Sequence, residues 1–360
     1  MSVITTVLGP VPPDSLGLTS MHEHVLCDGR FFLRRYGDKL PKDLPVKPED
    51  PVRMDNLGLH RRNYPLTYDA VVMGDEDVMA AELADFKASG GSALVDMSTP
   101  GLRSDVAGIR RLSEKTGVHI ITTTGLYTED SWPEKFRSLT IEEYKQFMLG
   151  EIRGGIGDTG VFAGHIKVAV TDLTRQQERV LRAAARAAME SGLSMTVHPG
   201  FIIGSDGRRI VKMIREEGMN LGRAIIAHTD GFLSEHDLRT LILNPETWRL
   251  RLDYAKELFD QGVNLAFDCF GQYYSLESLG FILEHDWQRL GGVVALIQAG
   301  YSPQMILGTD TFLKTLTRRF GGEGYCRLTR FVLPTLKEVG VSEYDIRRMT
   351  VDNPSVLLAH

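Results

Sequence analysis

Eight short, β-rich apolar runs recur along the 360-residue chain, and most are followed by a helix-patterned segment. The runs are LGLTSMHEH (16–24), SALVDMS (92–98), VHIITTTG (118–125), VFAGHIKVAV (161–170), LSMTVH (193–198), RAIIAH (223–228), VNLAFDCFG (263–271) and QMILGTD (304–310). The helical stretches are DEDVMAAELADFKASGG, DVAGIRRLSEKTG, RQQERVLRAAARAAMESG, IVKMIREEGM, RLRLDYAKELFDQG and LGGVVALIQAGY. Many of them end in Gly, a common helix stop. Strands alternating with helices imply a parallel sheet. Eight is also the number that closes one, so the expected fold is α/β, a (β/α)8 TIM barrel. An open doubly wound sheet would want a Gly-rich phosphate turn after an early strand, and no GxGxxG stands there.

Residues 1–360 are expected to form a single barrel domain. The opening VITTVLGPVPPDSLG reads as two short strands around a Pro-rich turn, so 1–15 would form a hairpin cap on the barrel bottom. Residues 28–68 are the longest interruption. They follow the first strand, which places them as a loop insertion over the catalytic face. A hydrophobic content of 42% suits one large core. The net charge of -6 has no clustered basic face, which argues against a nucleic-acid partner. No apolar run reaches the ~18–20 residues of a membrane span. Cys27, Cys269 and Cys326 show no CxxC spacing and read as reduced thiols. The N-terminal run has no basic n-region or long apolar stretch, so a cytoplasmic location is expected.

The chemistry lies where the apolar runs end. The first run closes on His22 and His24, which share one face of a strand. The fourth carries Lys167; the fifth, sixth and eighth close on His198, His228 and Asp310. In a (β/α)8 barrel these ends converge on one mouth. Four imidazoles, a lysine and a carboxylate there can bind two divalent ions, with Zn, Mn, Co, Ni and Fe all compatible. Taken singly, each has an ordinary reading; Asp310, for example, can cap a following helix. The metal reading rests on their joint occurrence. His60, His119, His165, His236, His285 and His360 stay in the ordinary class. Lys167 sits among Ile166, Val168 and Val170, where a buried ammonium is costly. Cationic surroundings favour the free amine, which can take up CO2 as a carbamate and bridge two metals.

This order resembles the phosphotriesterase family of the amidohydrolase superfamily. The opening TVLGPVPPDSLGLTSMHEH is similar to the family's N-terminal signature, and EIRGGIGDTGVFAGHIKVAV to its strand-four signature. The segments DCFGQYYSLES and TDTFLKTLTRRFGGEGYCRLTRFVLP resemble the branch holding the resiniferatoxin-binding, phosphotriesterase-related proteins. The resemblance implies that His22, His24 and Asp310 bind a buried metal and His198 and His228 a more exposed one. Lys167 would be the carboxylated bridge. It implies a homodimer as well.

The expected activity is hydrolysis by a metal-bridging hydroxide, opening a lactone or cleaving a carboxylic ester. N-acyl amide hydrolysis and phosphotriesterase activity are the alternatives on the same centre. A binding protein that kept the fold would normally have lost ligands, and all six are present. Asp310 would accept and return the proton. Tyr127 and Tyr273 are candidate substrate contacts, as is Tyr274. Lys314 and Arg318, with Arg319, are candidates for an anion clamp. Arg30, Arg34 and Arg35 would add to it if the first loop folds over the mouth. The GGEG stretch (321–324) lacks the GK[ST] ending of a P-loop and reads as a turn.

Overall fold

The computed structural model describes residues 2–200 and 206–360. Eight parallel strands run in chain order around a nearly closed barrel. They are β1 (Thr19–Glu23), β2 (Ala93–Asp96), β3 (His119–Leu126), β4 (His165–Ala169), β5 (Met195–His198), β6 (Ala224–Ile226), β7 (Asn264–Phe267) and β8 (Met305–Leu307). Each strand hydrogen-bonds the next, from β1–β2 through β7–β8. Seven of the eight strands are shorter than their apolar runs, and β3 matches its run in length with a shift of one residue.

Closure between β8 and β1 is made by other means. The Asp310 N–H donates to the His22 carbonyl at 2.9 Å. The buried Glu23 carboxylate accepts the Thr309 and Thr311 N–H groups at 2.9 and 3.0 Å, and the Thr309 hydroxyl as well. A register shift between Ser20 and Glu23 accompanies this arrangement. The middle residue of His22-Glu23-His24 therefore closes the barrel, while its neighbours face the mouth.

Alternation along β4 sorts its side chains. Ile166 and Val168 join the layer between sheet and helices, with Val180, Leu181 and Ala184 of the helix Arg175–Ser191. Lys167, between them, reaches His22 across the barrel. The lower interior is filled by Met21, Val95, Ile121, Ile225, Ala266 and Ile306.

The hairpin Ile4–Thr6/Gly9–Val11 packs at the entry end of β3, where the Val7 N–H donates to the Ile120 carbonyl at 2.8 Å. Ile4 adds to the lower interior. The long segment after β1 is pinned at its base by an antiparallel pair, Cys27–Asp28 with Val72–Met73. It carries the helices Phe31–Tyr36 and Leu57–Arg62.

One barrel helix, Ile141–Arg153, is not among the stretches read from the sequence. Thr140 and Glu143 form a capping box at its start, and Tyr144, Met148 and Leu149 bury one side.

Two glycines give opposite predictions. Gly125 on β3 has φ +117°, and a Cβ there would overlap the Lys167 carbonyl oxygen on β4. Gly125→Ala is expected to cost about 3 kcal/mol through strain and overpacking. Gly150 is exposed within Ile141–Arg153, and a Cβ added there would meet nothing within 4 Å. Gly150→Ala is expected to gain roughly 0.5–1 kcal/mol. Chemical denaturation of both variants checks the signs.

Candidate active site

All six predicted ligands meet at the C-terminal end of the barrel. His22 and His24 are each held by Nδ1. The His22 Nδ1 lies 2.6 Å from Asp268 Oδ2, and the His24 Nδ1 2.8 Å from Ser98 Oγ. Ser98 in turn donates to Asp96 Oδ1 at 2.8 Å. Both rings thus turn Nε2 inward, 3.5 and 3.3 Å from Asp310 Oδ1. The Lys167 Nζ stands 2.9 Å from the His22 Nε2. Asp268 holds His228 with its other oxygen, at 2.9 Å from both Nδ1 and the backbone N–H. The His198 ring centroid is 4.6 Å from that of His228.

This donor set fits divalent metals. Ligand atoms of His22, His24 and Asp310 all lie within 4.8 Å of one another. The His198 Nδ1 is buried without a hydrogen-bond partner among the described residues. Such an orphan is costly unless an ion takes it up. Two of the ligands sit on left-handed backbone, His228 at φ 55° and Asp310 at φ 44°. Non-glycine residues adopt it rarely, and strain of this kind gathers at functional positions.

The charge states suit the same role. Burial, aided by the Lys167 cation, lowers His22 to about 4. Burial, then His228, holds His198 well below the ordinary imidazole value. Both rings are therefore neutral near pH 7, as metal ligands must be. Burial also brings Lys167 down to about 8. Burial opposes ionisation of Asp310, but the surrounding imidazoles outweigh it and keep its carboxyl below the usual value.

Above the ligands lies a cavity of about 230 Å³. Phe32, Tyr64, Tyr127, Tyr274 and Phe312 form its aromatic wall, with ring centroids 5.0 Å apart for Tyr64–Tyr274 and 5.6 Å for Tyr64–Phe312. The Tyr127 hydroxyl is 3.3 Å from the His198 Nε2. Arg35, Tyr36 and Lys39 of the segment after β1 reach the rim.

Three expected substrate contacts lie elsewhere. Tyr273 turns away from the cavity and donates to Asp286 Oδ2 at 2.9 Å, and Tyr274 lines the wall in its place. Lys314 is drawn to Asp69, outside the cavity. Arg318 pairs with Asp85 on the helix Glu76–Ala88. The proposed clamp after Asp310 is thus neutralised by local carboxylates. Arg319 is exposed, and Arg30 pairs with Asp28. Arg35 does line the rim, bound to Asp130 and Asp172 at 2.9 and 3.2 Å.

Asp268, Ser98 and Gln272 were not foreseen. The Gln272 Nε2 donates to Asp310 Oδ2 at 3.0 Å, and its Oε1 accepts from the Tyr274 hydroxyl at 3.2 Å. Asp268 had a readable signal, since it ends the apolar stretch VNLAFD much as Asp310 ends QMILGTD. Ser98 closes the run SALVDMS, but a serine there carries no metal-ligand signal, and Gln272 lies in a loop with no comparable pattern.

A barrel with this set of imidazoles and carboxylates at its mouth is the framework of a metal-dependent hydrolase. Comparison with known proteins agrees and names the family. The model of the phosphotriesterase family matches residues 2–358, and the chain belongs to that family. It is 28% identical over 360 residues to the N-acetyltaurine hydrolase of Salmo salar, covering 98% of this chain and 96% of that one. A resiniferatoxin-binding protein from Rhodobacter sphaeroides superposes with a TM-score of 0.85 at 28% identity, covering 99% of this chain and 94% of its own. A lactonase from Listeria monocytogenes shares the fold, with a TM-score of 0.75 at 20% identity and 99% coverage of both chains.

Elemental analysis after metal loading and desalting tests the ligand set. His24→Ala and Asp310→Asn are each expected to retain at least one ion fewer than the wild-type chain. Unchanged metal content in both would remove them from the site.

Proposed function

We propose that this chain is a binuclear metal-dependent hydrolase of carboxylic acyl compounds, with an N-acyl amide as the first substrate class. The observation that carries the reading is the convergence of His22, His24, Lys167, His198, His228 and Asp310, with the His198 Nδ1 unsatisfied among the described residues. The amide class is supported by whole-length likeness to a named N-acetyltaurine hydrolase. Lactones and carboxylic esters are the second reading. The aromatic wall favours them, as does the pairing of Arg35, Lys314 and Arg318 with carboxylates, because both features suit a neutral substrate. A phosphotriester would be a side substrate.

His22, His24 and Asp310 would hold one ion, and His198 and His228 the other, with a carbamate on Lys167 between them. Two divalent ions so placed would supply Lewis acidity and a water of lowered pKa; zinc, manganese, cobalt, nickel and iron all suit the donors. The chain's own groups do the rest. Asp310 accepts a proton at its carboxylate and returns it to the leaving nitrogen or oxygen. Gln272 fixes that carboxylate by its second oxygen. Tyr127 is half-buried, and loss of solvent around its phenol pushes it well above the usual value, so it stays a donor. Its hydroxyl, beside His198, is placed to donate to the substrate carbonyl oxygen. The aromatic wall takes the acyl group and excludes water.

Hydrolysis of an N-acetyl amino compound, a neutral lactone and a chromogenic phosphotriester tests the reading. Chelation is expected to abolish turnover, and divalent metal to restore it. Amidase turnover well above lactonase turnover supports the first class; the reverse order supports the second. Activity that survives full metal removal contradicts both.

The Lys167 amine must be neutral to take up CO2. With its pKa lowered to about 8, the reactive fraction grows as pH rises from 7 to 9 rather than above 10. Reactivation of metal-free protein at fixed dissolved CO2 is therefore expected to quicken across that range. Lys167→Ala is expected to lose at least ~100-fold in kcat, and full activity in that variant contradicts the carbamate.

A further inference from the structure

Asp268 lies between the two halves of the ligand set. It is fully buried. One oxygen faces the His22 Nδ1 at 2.6 Å, and the other faces the His228 Nδ1 and backbone N–H, each at 2.9 Å. Under the binuclear reading, His22 belongs to one ion and His228 to the other. His24 and His198 have no such shared support. His24 rests on Ser98, and among the described residues His198 has its Nε2 contact with Tyr127 and ring packing.

We propose that Asp268 is a positioning residue that couples the two metal subsites, so that loading one prepares the other. The inference rests on the binuclear reading above. A carboxylate can only accept here, so each imidazole must place its proton on Nδ1 and present the Nε2 lone pair. Carboxylate–imidazole–metal arrangements of this kind are a general means of fixing ligand tautomer and orientation. The unusual element is that one carboxylate does this for two ligands of different ions. When an ion fixes His22, it fixes Asp268, and Asp268 then fixes the His228 ring. The second ion meets a ligand whose ordering is already complete, which is positive coupling by pre-organisation.

The backbone beside Asp268 is anchored, and its carboxylate is oriented by His22 and His228. It begins the loop after β7, where the next residue, Cys269, donates its N–H to Asp230 at 2.8 Å. Asp230 lies 3.5 Å from the Arg289 Nε, and Arg289 and Arg327 both bind Asp286, at 2.8 and 2.7 Å. This buried ladder of alternating charge anchors the start of the loop.

Asp268→Asn keeps the shape but changes the chemistry. An amide has one acceptor oxygen and one donor nitrogen, so it can accept from one imidazole only and opposes the other. The experiment is a Mn(II) titration of the metal-free full-length chain, followed by electron paramagnetic resonance and equilibrium binding. At one equivalent, the wild type is expected to show chiefly the exchange-coupled pair. Asp268→Asn is expected to show chiefly isolated Mn(II), with each ion bound about 10- to 100-fold more weakly. Ser98→Ala, which removes the support of His24 and leaves both Asp268 contacts in place, is expected to weaken the ion that His24 would hold while pair formation persists.

Equal affinities and equal pair formation in the wild type and Asp268→Asn overturn the coupling. If Asp268→Asn does not fold, the wild type alone decides: isolated Mn(II) at one equivalent overturns the coupling, and the coupled pair supports it. A wild type that binds only one ion, or none, overturns the binuclear reading and the coupling together.

Discussion

The site exists because β8 meets β1. His22 and Asp310 are 288 positions apart in the chain, yet the Asp310 N–H donates to the His22 carbonyl at 2.9 Å. That contact puts the Asp310 carboxylate against the two imidazoles of β1. The join is no ordinary strand ladder. Glu23 supplies acceptors for Thr309 and Thr311 from within the barrel wall. Closure and ligand placement are thus one event, and left-handed backbone at Asp310 is part of it. On the β4 side, Gly125 allows β3 and β4 to approach closely where Lys167 projects inward.

Much of this was legible in the sequence. The alternation of apolar runs and helical stretches is a local pattern, and it was enough to count eight strands. The candidate ligands were visible because each marks the point where an apolar run ends or, for Lys167, breaks one. Glu23 was not, since its role depends on a seam between the two ends of the chain. Asp268 was passed over because the seventh run continues into CFG, which blurs where the strand stops. The helix Ile141–Arg153 was overlooked despite its capping box and apolar face.

The substrate contacts were the least legible. Lys314 and Arg318 look like an anion clamp when only the order TDTFLKTLTRR is considered. In space, each finds a carboxylate from a distant segment, Asp69 or Asp85. Tyr273 and Tyr274 are adjacent in sequence, but one binds Asp286 and the other lines the cavity. Pairings across long separations decide these outcomes, and no local pattern announces them. Part of the rim comes from the segment after β1, which brings Phe32, Arg35, Tyr36, Lys39 and Tyr64 over the candidate ligands.

The most direct test is an anomalous-scattering crystal structure of the metal-loaded protein. Two peaks roughly 3.5–4 Å apart are expected, as in two-metal hydrolytic sites. One should lie among His22, His24 and Asp310, the other beside His198 and His228, with a carboxylated Lys167 between them. A single peak, peaks away from these residues, or an unmodified Lys167 between two ions would contradict this arrangement.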